Sequence, residues 1–541
     1  MSRSPWWRGR AAACVVAAIV GVVPCATAAT EQRQEVSRSF DRTVNVTSGQ
    51  TLRVEHRHGD IRVTTHARSD LRVQATIRVS ADSQQEAAAF IDRVEIEIGE
   101  TPAAVTVRTR YPQDDMRRDR NLSFSVDYTV LMPDRMPLDV RNNFGNVSVA
   151  GVKADMAIVN AHGELTVSDG AGRSRLENSF GPIEAARLAG DVTIAGANGA
   201  VSATTIGGAL NVTNRFGRVT ATGVNGAALI GNSNGEVSVT DAISARVTNS
   251  FGVVTVRNVR KNVAVTNSNG GVTGASVGPA TVTTSFGSVD LKDIAGDITV
   301  TNSNGAVKLG NVRGGATVKT SFASVDLTTV SGIVSVTNSN GAVSVREVGG
   351  AVDVSGSFGA VDIQAVKAGV RVTTTNSNVR VADIDGVGFV KTSFGLVTAD
   401  RVRGSLTVEN SNGGVQASGV GAGIDVKTSF GPVVLRDVTG KISVRNQNGA
   451  IEAAVAASTP GACQEVTLAT SFSPIQIQLP EGGYTVAATT SFGKIHSDVP
   501  ITHRGTLGEG SVSGTIGAGG CALHLTNANG DIRILKRGEG K

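Results

Sequence analysis

The 541-residue chain has few aromatic side chains, 4% in all, and almost no long helical pattern. Helical bundles are therefore excluded, and any core must be built largely from small branched residues. Long apolar runs are missing as well. The run at 11–23 is too short to span a bilayer comfortably. It follows Arg3, Arg8 and Arg10 and precedes Ala26-Thr27-Ala28, so residues 1–28 read as a secretory signal peptide, with no transmembrane segment in the mature chain. Loss of that leader removes three arginines and no acids, leaving 48 basic against 46 acidic residues. Such balance gives no basis for a nucleic-acid partner, which needs a concentrated basic face. Cys14 and Cys25 leave with the leader, so only Cys463 and Cys521 remain, and an oxidising compartment permits them to bond.

What is present is valine, threonine and 65 glycines in a repeat. Numbering each copy from a Phe or Asn at position zero, copies begin at Phe144, His162, Phe180, Asn198, Phe216, Asn234, Phe251, Asn269, Phe286, Asn304, Phe322, Asn340, Phe358, Asn378, Phe394, Asn412 and Phe430, and Asn448 ends the series. Nearly every step is 18 residues, with two of 17 and a compensated pair of 20 and 16 around Asn378. Inside a copy, apolar residues alternate at period 2, as Val289 and Leu291 do, so each copy holds two short strands bounded by glycine or Asn-Gly. One copy cannot bury its valines, but stacked copies can. The expected fold is all-β: an elongated parallel β-solenoid, expected to be right-handed, with 18-residue coils. Seventeen coils would rise roughly 80 Å at one inter-strand spacing each.

Continuing the alternation to position zero points that residue inward at a corner. Phe144, Phe180, Phe216, Phe251, Phe286, Phe322, Phe358, Phe394 and Phe430 are then expected as core plugs. Asn234, Asn269, Asn304, Asn340 and Asn412 would relieve crowding between rings and satisfy the turn backbone. The alternative is an exposed ladder of rings that binds a partner.

Four regions follow from the pattern: the leader 1–28, a strand-rich N-terminal capping region 29–140, regular coils 141–450, and irregular coils with a cap at 451–541. One helix is expected over 82–93, where Ser83 and Glu86 have capping-box spacing and Ala87, Phe90 and Ile91 share a face. Residues 114–121 read as a charged loop, and 458–462 as an insertion. Cys463 and Cys521 each lie eight or nine residues before a corner. Rigid stacking two coils apart would separate them by about 10 Å, too far to bond unless the loops move, so a disulfide and two free thiols both remain open.

Catalytic and metal chemistry find little support. Asp290, Asp326 and Asp362 recur at an outward position two coils apart, with Lys308 and Ser344 between. Two rungs, about 9.6 Å, barely meet the spacing of glycosidase carboxylates, so a surface charge ladder is expected there. His56 and His58 could share a strand face with His66 nearby, but no third metal ligand is evident. Pairs such as Thr301 with Ser303 and Thr337 with Ser339 place hydroxyls on an outer face, as strand and turn preferences alone would. No phosphate loop or nucleophile elbow stands out.

The Ser-Phe-Gly and Asn-Gly corners before Val-x-Val strands, the stretch at 126–133, the helix before it and the closing Asn529-Gly-Asp-Ile-Arg-Ile together resemble the bacterial β-strand-repeat family called putative adhesins, over roughly 40–540. The resemblance implies an exported solenoid and suggests adhesion; it supplies no catalytic residue. The expectation is a non-enzymatic protein without a cofactor, placed in the periplasm or at the cell surface, that offers a repetitive surface to glycan, cell wall or a protein partner. A periplasmic scaffold for envelope sensing and a polysaccharide-degrading β-helix are the alternatives.

Overall fold

The computed structural model describes residues 33–112, 122–456, 463–503 and 510–538. The leader, the charged loop at 114–121 and the insertion at 458–462 lie outside the described residues. Within them the chain forms 48 strands and one helix, and all the strands join in one continuous sheet wound as a solenoid.

Parallel, in-register pairing carries the coils. Val282, Val300, Val318, Val336, Val354 and Val372 stand opposite one another in successive rungs. The other wall is aligned in the same way, through Val289, Val307, Val325, Val343 and Val361. All of these valines are buried, with alternate residues outside, as a period-2 pattern requires. Each rung supplies the hydrogen-bond partners of the next, so a slender core suffices: every coil shares its apolar surface with two neighbours.

A second corner repeats seven residues after position zero. There every coil from Phe144 to Phe430 places a residue with φ between 53° and 85°. Three are glycines, Gly151, Gly223 and Gly419, and the rest carry side chains, among them Asp169, Asn258, Asp293 and Ala365. The left-handed residue resets the alternation, so that Ile294 turns into the core directly after Asp293. The same feature corrects one corner. Asn376, not Asn378, bridges Phe358 and Phe394, and Asp383 is its left-handed residue. Both steps are therefore 18 residues, and Ser377 stands where most other coils have glycine, Ala323 being another exception.

The ends depart from sequence order. Strand Thr51–Glu55 lies between Ala104–Arg110 and Leu138–Phe144, and Ile61–His66 lies between Ser123–Pro133 and Val147–Ala150. The coil at 51–66 is thus inserted under a coil completed later in the chain. Beyond it, Asp70–Ala81 pairs antiparallel with both Ser123–Pro133 and Gln34–Asn45. The helix Gln84–Ile91 starts where expected: Ser83 Oγ accepts the Glu86 amide, and Ala87, Phe90 and Ile91 are buried against this cap. The C-terminal end is interleaved likewise. Cys521–Asn527 sits between Val466–Thr470 and Tyr484–Thr490, and Ser511–Ile516 closes that side antiparallel. Antiparallel strands at both ends stop the open parallel ladder, whose free edge would recruit other chains.

Candidate functional site

The corner at position zero is the most regular feature of the surface. Its phenylalanines face solvent, which overturns the expectation of core plugs. Phe144, Phe180, Phe216, Phe251, Phe286, Phe322, Phe358, Phe394 and Phe430 are all exposed, Phe286 at 63% and the most covered, Phe144, at 46%. The reason lies in where the bend begins. Thr284 still points inward, but the chain turns at Ser285, and Ser285 and Phe286 both fall outside before Val289 re-enters the core. Phe286 N donates to Ser268 O, and Asn304 N to Ser285 O, each at 3.0 Å, which locks the bend to the coil before it. The glycine that follows is forced by close approach: a Cβ on Gly305 would lie 1.9 Å from Gly287 O.

The asparagines at position zero are outside too. Asn234, Asn269, Asn304, Asn340 and Asn412 follow the same bend and leave the core. Their expected hydrogen bonding to the turn is present in part: the Nδ2 groups of Asn304 and Asn340 donate to Ser285 O and Ser321 O, each at 3.3 Å.

The inward polar residue of this corner stands two positions earlier. Asn142, Asn178, Asn249, Asn302, Asn338 and Asn410 are buried at that place, with Thr284, Thr320, Thr392 and Thr428 in alternate coils. Asn302 Nδ2 donates to Gly305 O at 2.7 Å and to Gly287 O of the coil before it at 2.9 Å, while Thr392 Oγ1 donates to Phe394 O at 3.0 Å. This row closes the corner from inside. Its signal was in the sequence, because counting inward positions from Val300 gives Asn302 before the bend can intervene.

Toward the N-terminus the outer row becomes a continuous ring stack. The ring centroids of His58 and Phe144 are 5.1 Å apart, those of Phe144 and His162 4.7 Å, and those of His162 and Phe180 4.8 Å, all within 5° of parallel. His58 and His56 do not share a face. His56 is buried in the cap beside Thr109, at 3.1 Å, and packs edge-on against Tyr128 at 4.9 Å. Burial pushes its imidazole down to about 4 and the Tyr111 hydroxyl up to about 12.

From Phe251 to Asn448 no charged residue occupies the outer corner, from the residue before position zero to the second residue after it. Charges return beside it. A depression of about 640 Å³ next to Phe394 and Phe430 is lined by Lys391, Glu409, Lys427 and Arg445, with Lys391 paired to Glu409 at 3.1 Å. On the other wall Asp290, Lys308, Asp326, Ser344 and Asp362 form the expected ladder. It continues to Arg380, and Asp362 is held between Arg346 at 3.1 Å and Arg380 at 3.3 Å. Thr301, Ser303, Thr337 and Ser339 all face outward. Among the described residues no group of three or more metal-ligating side chains is assembled, and no helix is long and apolar enough to cross a membrane.

Cys463 and Cys521 form a disulfide, with Cα atoms 5.6 Å apart. Because Cys521–Asn527 stacks directly on Val466–Thr470, the two cysteines are one rung apart and not two.

Fold and surface together define a repeat-built β-solenoid rod with an aromatic outer edge. Residues 334–535 match the model of the family described as Toastrack DUF4097, so over that segment the chain is similar to this family. None of the curated proteins matches the chain. Among solved structures it is similar to one described as a putative cell adhesion protein from Clostridium sporogenes, with 10% identity over 50% of this chain and 99% of that chain. The TM-score of that likeness is 0.14.

Proposed function

We propose that this protein is an exported, non-enzymatic rod whose phenylalanine edge is a multivalent binding surface for glycan, cell wall or other cell-surface partners. The observation that carries this reading is the outward row itself. A phenylalanine half exposed or more stands on alternate coils over most of the rod, although apolar rings normally gain free energy by burial. Regular spacing on a rigid body turns many weak contacts into one strong attachment, because each engaged site raises the effective concentration at the next. The carboxylates nearest to a glycosidase arrangement stand two rungs apart with Lys308 between, which favours a charge ladder over an acid–base pair.

The test is co-sedimentation of the mature chain with isolated cell envelopes, beside a variant carrying Phe286→Ser, Phe322→Ser and Phe358→Ser. Binding should fall at least tenfold in the variant while its circular dichroism is unchanged. Equal binding by both proteins would overturn the reading. Protease shaving of intact cells then locates the rod: cleavage only after permeabilisation would replace surface partners by periplasmic ones.

A further inference from the structure

We infer that the partner of the phenylalanine edge is a second copy of this chain, laid antiparallel so that the rings of each copy enter the asparagine rungs of the other. This rests on the reading of the row as a binding surface and names its occupant.

The N-terminal stack shows the filled form of the same ladder. His58, Phe144, His162 and Phe180 put a ring in every rung, at centroid spacings of 4.7 to 5.1 Å. Rung spacing therefore suits parallel aromatic stacking. From Phe251 onward asparagine takes alternate rungs, and successive rings stand about 9.6 Å apart. Between them is a gap one ring wide. Asn304 and Asn340 hold their amides against the preceding coil's backbone, at its floor.

A row of such gaps is filled in register only by a body with the same two-rung period, and a second copy has that period by construction. Its uncharged stretch also fits itself. Phe251 to Asn448 spans twelve rungs, beginning on a phenylalanine and ending on an asparagine. Full antiparallel overlap sets Phe251 opposite Asn448 and Phe430 opposite Asn269, and every other ring opposite an asparagine. Parallel pairing about an axis along the rod would set ring against ring, and slipping one rung would leave a contact that does not close on itself. No like charges meet at this edge. Six rings, each about half exposed, offer on the order of 1,200 Å² over both partners before the flanking serines and glycines are added, the lower end of specific interfaces.

Sedimentation equilibrium of the full mature chain tests the inference. The wild type should be a dimer. The Phe286→Ser, Phe322→Ser, Phe358→Ser variant should dissociate at least tenfold more readily. A second variant, Asn304→Phe with Asn340→Phe and Asn376→Phe, separates interdigitation from mere stickiness: its own rings close the gaps, as His162 does between Phe144 and Phe180, so it too should dissociate at least tenfold more readily. Tighter association of that variant would overturn the inference. Spin labels on Ser250→Cys should lie on the order of 50 Å apart in the antiparallel pair, eleven rungs; a short distance would refute that orientation. A wild-type monomer that still binds envelopes through its phenylalanines would refute self-pairing and leave the binding surface standing. A monomer that binds nothing would remove both.

Discussion

Cys521 is bonded to Cys463 and donates its amide to that sulfur at 2.9 Å, although 58 residues separate them. The last coil of the chain is inserted beneath the one formed before it, and this bond ties the inserted strand to its neighbour. Reduction, or Cys463→Ser, is expected to lower the stability of the C-terminal coils by about 4 kcal/mol on loop-closure entropy. Hydrogen exchange with and without reductant should show loss of protection confined to 463–538. Protection unchanged there would mean that the interleaved order holds without the bond.

The N-terminal cap should be acid-sensitive through His56. Its folded pKa is about 4 against 6.5 for the free side chain, because burial beside Tyr128 and Thr109 penalises the charged ring. Between those values the unfolded chain binds the extra proton. Stability is then complete above pH 6.5 and is lost as the pH falls toward 4, by on the order of 3 kcal/mol. Amide exchange in Thr51–Glu55 and Ala104–Arg110 should accelerate over that range, and His56→Gln should flatten the dependence.

Phe286→Ala and Leu291→Ala make a direct comparison of outside and inside. Phe286 is 63% exposed and Leu291 1%. The first should shift stability by less than about 0.5 kcal/mol, and the second should cost about 2–5 kcal/mol. Thermal unfolding of the two variants measures this, and a large loss from Phe286→Ala would restore a structural role for the ring.

Ala365 holds φ 56° in the second corner, a conformation that crowds its Cβ. Ala365→Gly is expected to raise stability by up to about 1 kcal/mol, since relief of strain outweighs the added freedom of the unfolded chain. Urea denaturation would detect it, and destabilisation would show that neighbouring rungs relieve the strain already.

Much of this architecture can be read locally. Val289 and Leu291, two residues apart, share a face whatever surrounds them, and copies that cannot bury their valines alone must stack. The helix beginning after Ser83 is equally local, a cap and an apolar face. Position zero was harder to read. The alternation that correctly sends Val300 inward also sends Asn302 inward, but whether it continues to Asn304 depends on where the bend begins. Serine and glycine permit the bend without dating it.

The sequence by itself determined a β-solenoid of 18-residue coils, its apolar ladders and, from Phe180 onward, a two-coil alternation of phenylalanine and asparagine, because all three are set by residues close together in the chain. Tertiary structure alone decided that the rings face water, that Asn376 is the true corner, and that Cys463 meets Cys521. The direction of a corner side chain is fixed by hydrogen bonds to the coil before it, and the interleaved ends by pairing between strands tens of residues apart. No local pattern records which rung a returning strand will occupy.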